Sequence, residues 1–228
     1  ASVNPLDYHL LHGAPLIRLF SGLGRPRQPI RGVDVAGVVE AVGSGVTAFC
    51  AGDAVFGSCP GAFAEFACTA ETAVVSCPRG VPFEHAAALP VAGVTALQGL
   101  RDKGGLRPGQ NVLIHGASGG VGTLDHLLAK ILGAHVTAVT STANLDFVRA
   151  LGADHALDYT QQDFTRQERR YDVILDCYAS RPLADCRRVL APRGIYVGVG
   201  GPASGFLPFL FRLLAIVALS PFREQKMR

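Results

Sequence analysis

Apolar and polar positions alternate along the first third of the chain. Residues 33–43 read VDVAGVVEAVG, a run of small and β-branched residues broken by glycines. Residues 53–57 (DAVFG) and 62–67 (AFAEFA) alternate apolar with polar or small side chains, as half-buried strands do. Turn signals at Gly43-Ser44-Gly45 and Ala51-Gly52-Asp53 separate them. Short strands with close turns predict a small β-barrel. The period changes near residue 84. Residues 84–89 are Ala-rich, and 91–100 keep helical spacing through Val94, Leu97 and Leu100 until Lys103-Gly104-Gly105 ends the helix. Beyond it, strands are predicted over 111–115, 136–140, 156–159, 171–176 and 194–200. Helices are predicted over 121–132, 144–151 and near 183–190. Alternation of this length means βαβ units and a parallel sheet, hence an α/β fold with a doubly wound, Rossmann-type sheet after the β-rich part.

Composition narrows the class. A chain of 228 residues buries enough surface to fold without disulfides or metals. Charged residues are only 17% and hydrophobic ones 49%, which excludes intrinsic disorder. The net charge of +3 is small and spread along the chain, so nucleic acid is not an expected partner. The six cysteines, at 50, 59, 68, 77, 177 and 186, form no CxxC pair. Reduced thiols in a reducing, cytoplasmic setting are expected, and no structural zinc. No basic stretch precedes an apolar one, so no signal peptide is expected. Residues 206–222 are strongly apolar, but Pro208, Arg212 and Pro221 interrupt them and the run falls short of a membrane span. It reads as a helix packed on a neighbour.

One motif carries chemistry. Ala117-Ser118-Gly119-Gly120-Val121-Gly122 follows a predicted strand and opens a predicted helix. That is the setting of a dinucleotide fingerprint, with Ala117 in place of the first glycine. Gly119 lets the backbone approach a pyrophosphate, and Gly122 permits close packing behind it. The helix N-terminus offers free N–H groups and partial positive charge. About 20 residues on, an acidic residue would hold the ribose 2′-hydroxyl of NAD. Here stand Ser141, Thr142, Ala143 and Asn144, with no carboxylate and two hydroxyls able to donate to a 2′-phosphate. NADP(H) is the expected cofactor, although Ala143 supplies no cation. The alternative for Ser141 and Thr142 is a plain helix N-cap.

Several ordered stretches resemble the medium-chain dehydrogenase/reductase superfamily. They are ASVNPLDY at the start, GVDVAGVVEAVGSGVTAFCAGDAVFG at 32–57, GAFAEFA at 61–67, AAALPVAGVTALQGL at 86–100, NVLIHGASGGVG at 111–122, GADHALDY at 152–159 and YDVILD at 171–176. The resemblance is to the zinc-independent quinone oxidoreductase, zeta-crystallin-like branch. It implies a GroES-like catalytic domain over 1–87 and a Rossmann dinucleotide-binding domain over 88–228. It further implies that both are incomplete, at the N- and C-terminus respectively. Where the family's alcohol dehydrogenases carry zinc ligands, this chain has Asn4-Pro5 and Gly32-Val33-Asp34. The implied reaction is hydride transfer from NADPH to a quinone or an α,β-unsaturated carbonyl without metal. The implied assembly is a homodimer of the full-length protein.

By the same resemblance Asn4 and Tyr8 lie beside the nicotinamide and Thr95 touches its ribose region. Ala117, Ser118, Gly119, Gly120 and Val121 bind the pyrophosphate. Ser141, Thr142 and Tyr159 border the adenosine phosphate, and the backbone of Gly198, Val199 and Gly200 binds the carboxamide through reachable amides. The structural alternatives are a turn residue for Asn4, a packed aromatic for Tyr8, a core helix position for Thr95 and a strand-end aromatic for Tyr159. Cys59 is either a bland thiol or one that meets electrophilic quinones. No general acid stands out. Asp125 and His126 are out of place on a helix that should present small or apolar residues to a sheet, and one of them is expected to be pushed inward. Two rival readings stay open: a non-catalytic NADPH-binding or scaffold protein of this fold, and an inactive fragment.

Overall fold

The structure, a computed structural model, describes residues 1–12, 28–200 and 225–228. The apolar run at 206–222 therefore lies outside the described residues. The chain forms two compact units, 1–94 and 95–228. The division between them falls within the helix Pro90–Leu97.

In the first unit, strands β1 (Asp34–Val38), β2 (Ala54–Ser58) and β3 (Val74–Ser76) form an antiparallel sheet in the order β1-β2-β3. This sheet represents the expected barrel among the described residues. The helix Pro5–His12 precedes it, and the helix Phe83–Ala87 packs on β1 and β2. The strand expected over 62–67 does not form. The chain reverses at Gly61 (φ +86°), Phe63 N–H donates to the Arg31 carbonyl at 2.8 Å, and Phe63 and Phe66 stay exposed. Among the described residues the backbone bonds of this segment reach Arg31 and Gly32 only at its start, at Gly61, Ala62 and Phe63, and alternation alone does not make a strand.

In the second unit, β4 (Asn111–His115), β5 (His135–Thr140), β6 (His155–Asp158), β7 (Tyr171–Asp176), β8 (Leu190–Gly198) and β9 (Lys226–Met227) form a parallel sheet in the order β6-β5-β4-β7-β8-β9. Counted from β4, that is the doubly wound order 3-2-1-4-5-6, with its topological switch between β4 and β7. The continuous apolar runs predict this. Val112, Leu113 and Ile114 of β4 and Val173, Ile174 and Leu175 of β7 are buried on both faces, as only central parallel strands are. The helices Gly120–Ile131, Leu145–Ala150 and Leu183–Arg188 make the crossovers. A wider, π-helical turn over Gln98–Lys103, closed by Gly104 N–H on the Gly99 carbonyl at 2.8 Å, extends the first helix of this unit toward β4.

Candidate functional site

The turn from β4 into the helix Gly120–Ile131 sits at the C-terminal edge of the sheet, at the switch point. There Gly116 takes φ +84°, a value that favours glycine, and its N–H and that of Ala117 both donate to the Val139 carbonyl at 3.1 Å. The chain then folds back so tightly that a Cβ at Gly122 would stand 2.2 Å from the Gly116 carbonyl oxygen. A Cβ at Gly120 would meet nothing within 4 Å, and Gly119 and Gly120 are exposed. The protein thus closes behind Gly122 and leaves room in front of Gly120. A pyrophosphate fits that cradle, on the open N-terminus of a 12-residue helix.

On the β5 side, Ser118, Ser141, Thr142 and Asn144 come together. Ser118 Oγ accepts from Thr140 Oγ1 at 2.8 Å and from Asn144 Nδ2 at 3.2 Å, and Ser141 Oγ accepts from Asn144 Nδ2 at 3.2 Å. Both serines keep their hydroxyl hydrogens for a ligand. Neither acts as a helix cap: Ser141 makes no side-chain cap bond. Thr142 departs from expectation. Its hydroxyl donates to Asp158 Oδ2 at 2.5 Å, so its hydrogen is spent. Asp158 also accepts from Thr160 N at 2.9 Å and Thr160 Oγ1 at 2.7 Å. The Thr142 and Thr160 hydroxyls, against some opposition from burial, hold its pKa below the ordinary carboxylate value. The residues 141–144 carry no carboxylate, but the fold brings one to them. The signal was available in register: Thr140 pairs with Asp158 at the ends of β5 and β6. Tyr159, next along, is exposed, with its N–H on the Thr140 carbonyl at 3.0 Å.

On the β7 side stands a buried polar relay that sequence reasoning did not find. His115 Nδ1 meets Asp176 Oδ1 at 2.8 Å, and His115 Nε2 meets Ser180 Oγ at 3.3 Å. Asp176 also accepts from Tyr196 Oη at 2.7 Å, Ala179 N at 2.7 Å and Tyr178 N at 3.2 Å. Burial opposes its ionisation, but His115, Tyr196 and the Ala179 N–H outweigh that and hold its pKa below the ordinary value. Only the alternation of His115 and Asp176 at paired strand ends hinted at this, since β4 and β7 place them opposite each other.

The reading of Gly198, Val199 and Gly200 as offering free amides needs correction. Gly198 N–H donates to the Arg228 carbonyl at 2.9 Å, and Val199 and Gly200 N–H donate to the Asp176 carbonyl at 3.0 and 3.2 Å. These donors hold the sheet end together. Gly200 is glycine for a different reason: a Cβ there would lie 2.1 Å from the Cys177 carbonyl oxygen. Thr95 is half-buried in its helix. In the first unit, Asn4 Nδ2 donates to the buried Asp34 Oδ2 at 2.9 Å, and Tyr8 is exposed and rests on His12 with ring centroids 4.3 Å apart. Cys59 is a buried thiol whose pKa burial raises, and no described cysteine is in a disulfide.

Behind the cradle, both Asp125 and His126 are fully buried, although one was expected to escape. Asp125 Oδ2 accepts from Cys177 Sγ at 3.3 Å, while Oδ1 has no partner. Burial, only partly offset by Cys177, pushes the Asp125 pKa up to about 7. Neither ring nitrogen of His126 reaches a partner in hydrogen-bonding geometry, and burial lowers its pKa.

Residues 1–79 match the family model "Alcohol dehydrogenase GroES-like domain" and residues 120–218 match "Zinc-binding dehydrogenase". A chloroplast envelope quinone oxidoreductase homolog of Arabidopsis thaliana is 39% identical over 211 residues, covering 87% of this chain and 63% of the relative. A chloroplastic quinone-oxidoreductase homolog of Spinacia oleracea is 35% identical over 231 residues, covering 94% and 68%. The solved quinone oxidoreductase of Coxiella burnetii superposes with a TM-score of 0.85 at 29% identity, covering 100% of this chain and 71% of that one. The chain spans less than two thirds of the length of the Arabidopsis relative.

Proposed function

The chain belongs to the medium-chain dehydrogenase/reductase superfamily, and on that premise we propose that it is an NADPH-dependent oxidoreductase that reduces a quinone or an α,β-unsaturated carbonyl without zinc. The observation that carries the proposal is the cradle at 116–122: closed behind Gly122, open before Gly120, and set at the switch point of the sheet. When bound there, the reduced nicotinamide supplies a hydride. The N–H groups at the start of the helix Gly120–Ile131 balance the pyrophosphate charge, and Ser118 and Ser141 have hydroxyl hydrogens to give to a 2′-phosphate. Thr142 and Asp158 work against that phosphate, so the preference over NADH is modest. Asn4 and Val33 stand where the zinc-dependent members carry ligands, and neither is a zinc ligand of any strength. Quinones and enones suit such a site because their own conjugation activates them. The quinone oxidoreductase names of the relatives support the same substrate class. We assign Asn4 and Tyr8 to the reacting end, homodimerisation to the full-length protein and a cytoplasmic setting to its reduced cysteines. Among the described residues no helix is long and apolar enough to cross a membrane.

The test is turnover: NADPH and 1,4-benzoquinone, followed at the absorbance of the reduced cofactor. Consumption of NADPH supports the proposal. Tight NADPH binding with no turnover across quinones and enals replaces it with a non-catalytic binding role.

A further inference from the structure

Two cysteines of the first unit stand side by side. Cys59 follows directly on β2, and its N–H donates to the Val33 carbonyl at 2.6 Å. The chain leaves over 60–67 and returns, so that Thr69 Oγ1 donates to the Ser58 carbonyl at 3.0 Å and Cys59 Sγ reaches the Cys68 carbonyl at 3.6 Å. These contacts fall on neighbouring residues of both segments, which places Cys59 opposite Cys68. A carbonyl oxygen lies under about 3 Å from its own Cα, so the Cys59 sulfur is within roughly 6 Å of the Cys68 Cα. A disulfide bridges neighbouring segments at such a spacing once the second side chain swings in. The two thiols also differ in access: Cys68 is exposed and Cys59 is buried. Burial does most to raise the Cys59 pKa, the Thr69 hydroxyl opposes the rise, and Cys68 adds to it as a thiol close by does. The other cysteines of this unit have different neighbours: Cys50 Sγ bonds to Asp53 Oδ2 at 3.4 Å, and Cys77 Sγ reaches the Val81 carbonyl at 3.8 Å.

We propose that Cys59 and Cys68 are a reversible redox pair, a modification site for small disulfide oxidants of the glutathione type, whose closure ties the end of β2 to the returning segment. The exposed Cys68, as thiolate, attacks one sulfur of oxidised glutathione. The glutathione S–S bond breaks, a mixed disulfide forms on Cys68, and one glutathione leaves as thiolate. Cys59 then gives up its proton and attacks the Cys68 sulfur, and the second glutathione leaves. Two cysteine thiols are oxidised to one disulfide, one glutathione disulfide is reduced to two thiols, and the two protons pass through water to the leaving thiolates. The closed ring encloses 60–67, which carries the exposed Phe63 and Phe66. The assignment concerns the first unit alone and does not depend on the nucleotide-binding reading.

The test is peptide mapping of the full chain after equilibration with oxidised and reduced glutathione, acid quenching and alkylation of the free thiols. Cleavage after Glu40, Glu65 and Glu71 releases Cys59 in the peptide 41–65 and Cys68 in 66–71. Cys50 shares the first peptide, so Cys50→Ser is mapped beside the wild type. In excess oxidised glutathione most of Cys68 is expected in a joined pair of these peptides, in both proteins. Reduced glutathione should separate them again, and Cys68→Ser should never join them. Cys68 is exposed and the change to serine is small, so folding is not at stake. Cys68 that stays free, that stops at the glutathione adduct, that links two chains, or that joins 41–65 only while Cys50 is present overturns the assignment.

Discussion

Replacing Asp125 by alanine should stabilise the protein, and only at neutral to alkaline pH. The carboxylate is fully buried with one oxygen unpartnered, and its pKa rises from 3.8 to about 7 in the fold. The native protein therefore holds a proton that the unfolded chain has released over that window. Stability is intact below pH 3.8 and is lost as pH rises through about 7. At about 1.4 kcal/mol per unit, the full loss at pH 8 is roughly 4 kcal/mol, and at pH 5 it is between about 1 and 2 kcal/mol. Asp125→Ala removes this penalty. It also opens a small void and deprives Cys177 Sγ of its acceptor, costing about 1–2 kcal/mol at either pH. The balance is a gain of about 2 kcal/mol at pH 8, or roughly 4–8 °C in Tm, and near zero at pH 5. Thermal melts of both proteins at the two pH values measure it. A variant that melts below the wild type at pH 8, or a difference independent of pH, refutes the reasoning.

The neighbouring His126 should behave with the opposite sign: burial keeps it neutral, so stability falls as pH drops below 6.5, and His126→Leu should raise Tm more at pH 5 than at pH 8 in the same melts. Gly122→Ala drives a Cβ into the Gly116 carbonyl and should destabilise by about 3 kcal/mol or more, read from denaturant midpoints. Gly120→Ala, whose Cβ meets no protein atom, should leave Tm unchanged yet weaken NADPH by about 10- to 100-fold in a fluorescence titration, since only the pyrophosphate is obstructed. Ala143→Arg places a guanidinium beside Ser141 and Thr142 and should raise the ratio of NADPH to NADH affinity by about tenfold or more; an unchanged ratio sets the 2′-phosphate elsewhere.

Where apolar runs and turn residues determine structure locally, the sequence was legible. The strand over 171–176 and the glycine turn opening a helix emerged where periodicity and glycine spacing put them. The strand over 62–67 did not, because alternation reports side-chain faces and says nothing of whether a partner strand is present. The site was legible in the same measure. Gly120 and Gly122 act through their own missing Cβ atoms, a property of the residue itself. Thr142 acts through Asp158, 16 residues away, and His115 through Asp176, 61 residues away, so their donor and acceptor roles exist only once strands are in register. The free amides expected at 198–200 failed for that reason: glycine makes a backbone reachable, but its neighbours decide whether its N–H is already spent.

Three buried carboxylates in the second unit show what decides such roles. Asp158 accepts from Thr142 and twice from Thr160, and Asp176 from His115, Tyr196 and two backbone N–H groups; both are held below their ordinary pKa. Asp125, accepting only from a thiol, is pushed up. Between Asp125 and Asp176, for both of which burial is the largest influence, donor supply decides the direction. The two satisfied carboxylates end β6 and β7, on either side of the cradle, and Asp158 takes the hydrogen of an exposed hydroxyl, that of Thr142. The Thr142 hydroxyl is thereby left as an acceptor. A dinucleotide carries a ribose on each side of its pyrophosphate, and even the phosphorylated cofactor keeps a free hydroxyl on both. An acceptor beside the phosphate cradle on the β5 side matches the donor of the adenosine-side ribose, so a ligand stripped of that ribose's free hydroxyl should lose affinity, whereas one altered only at the nicotinamide ring should not.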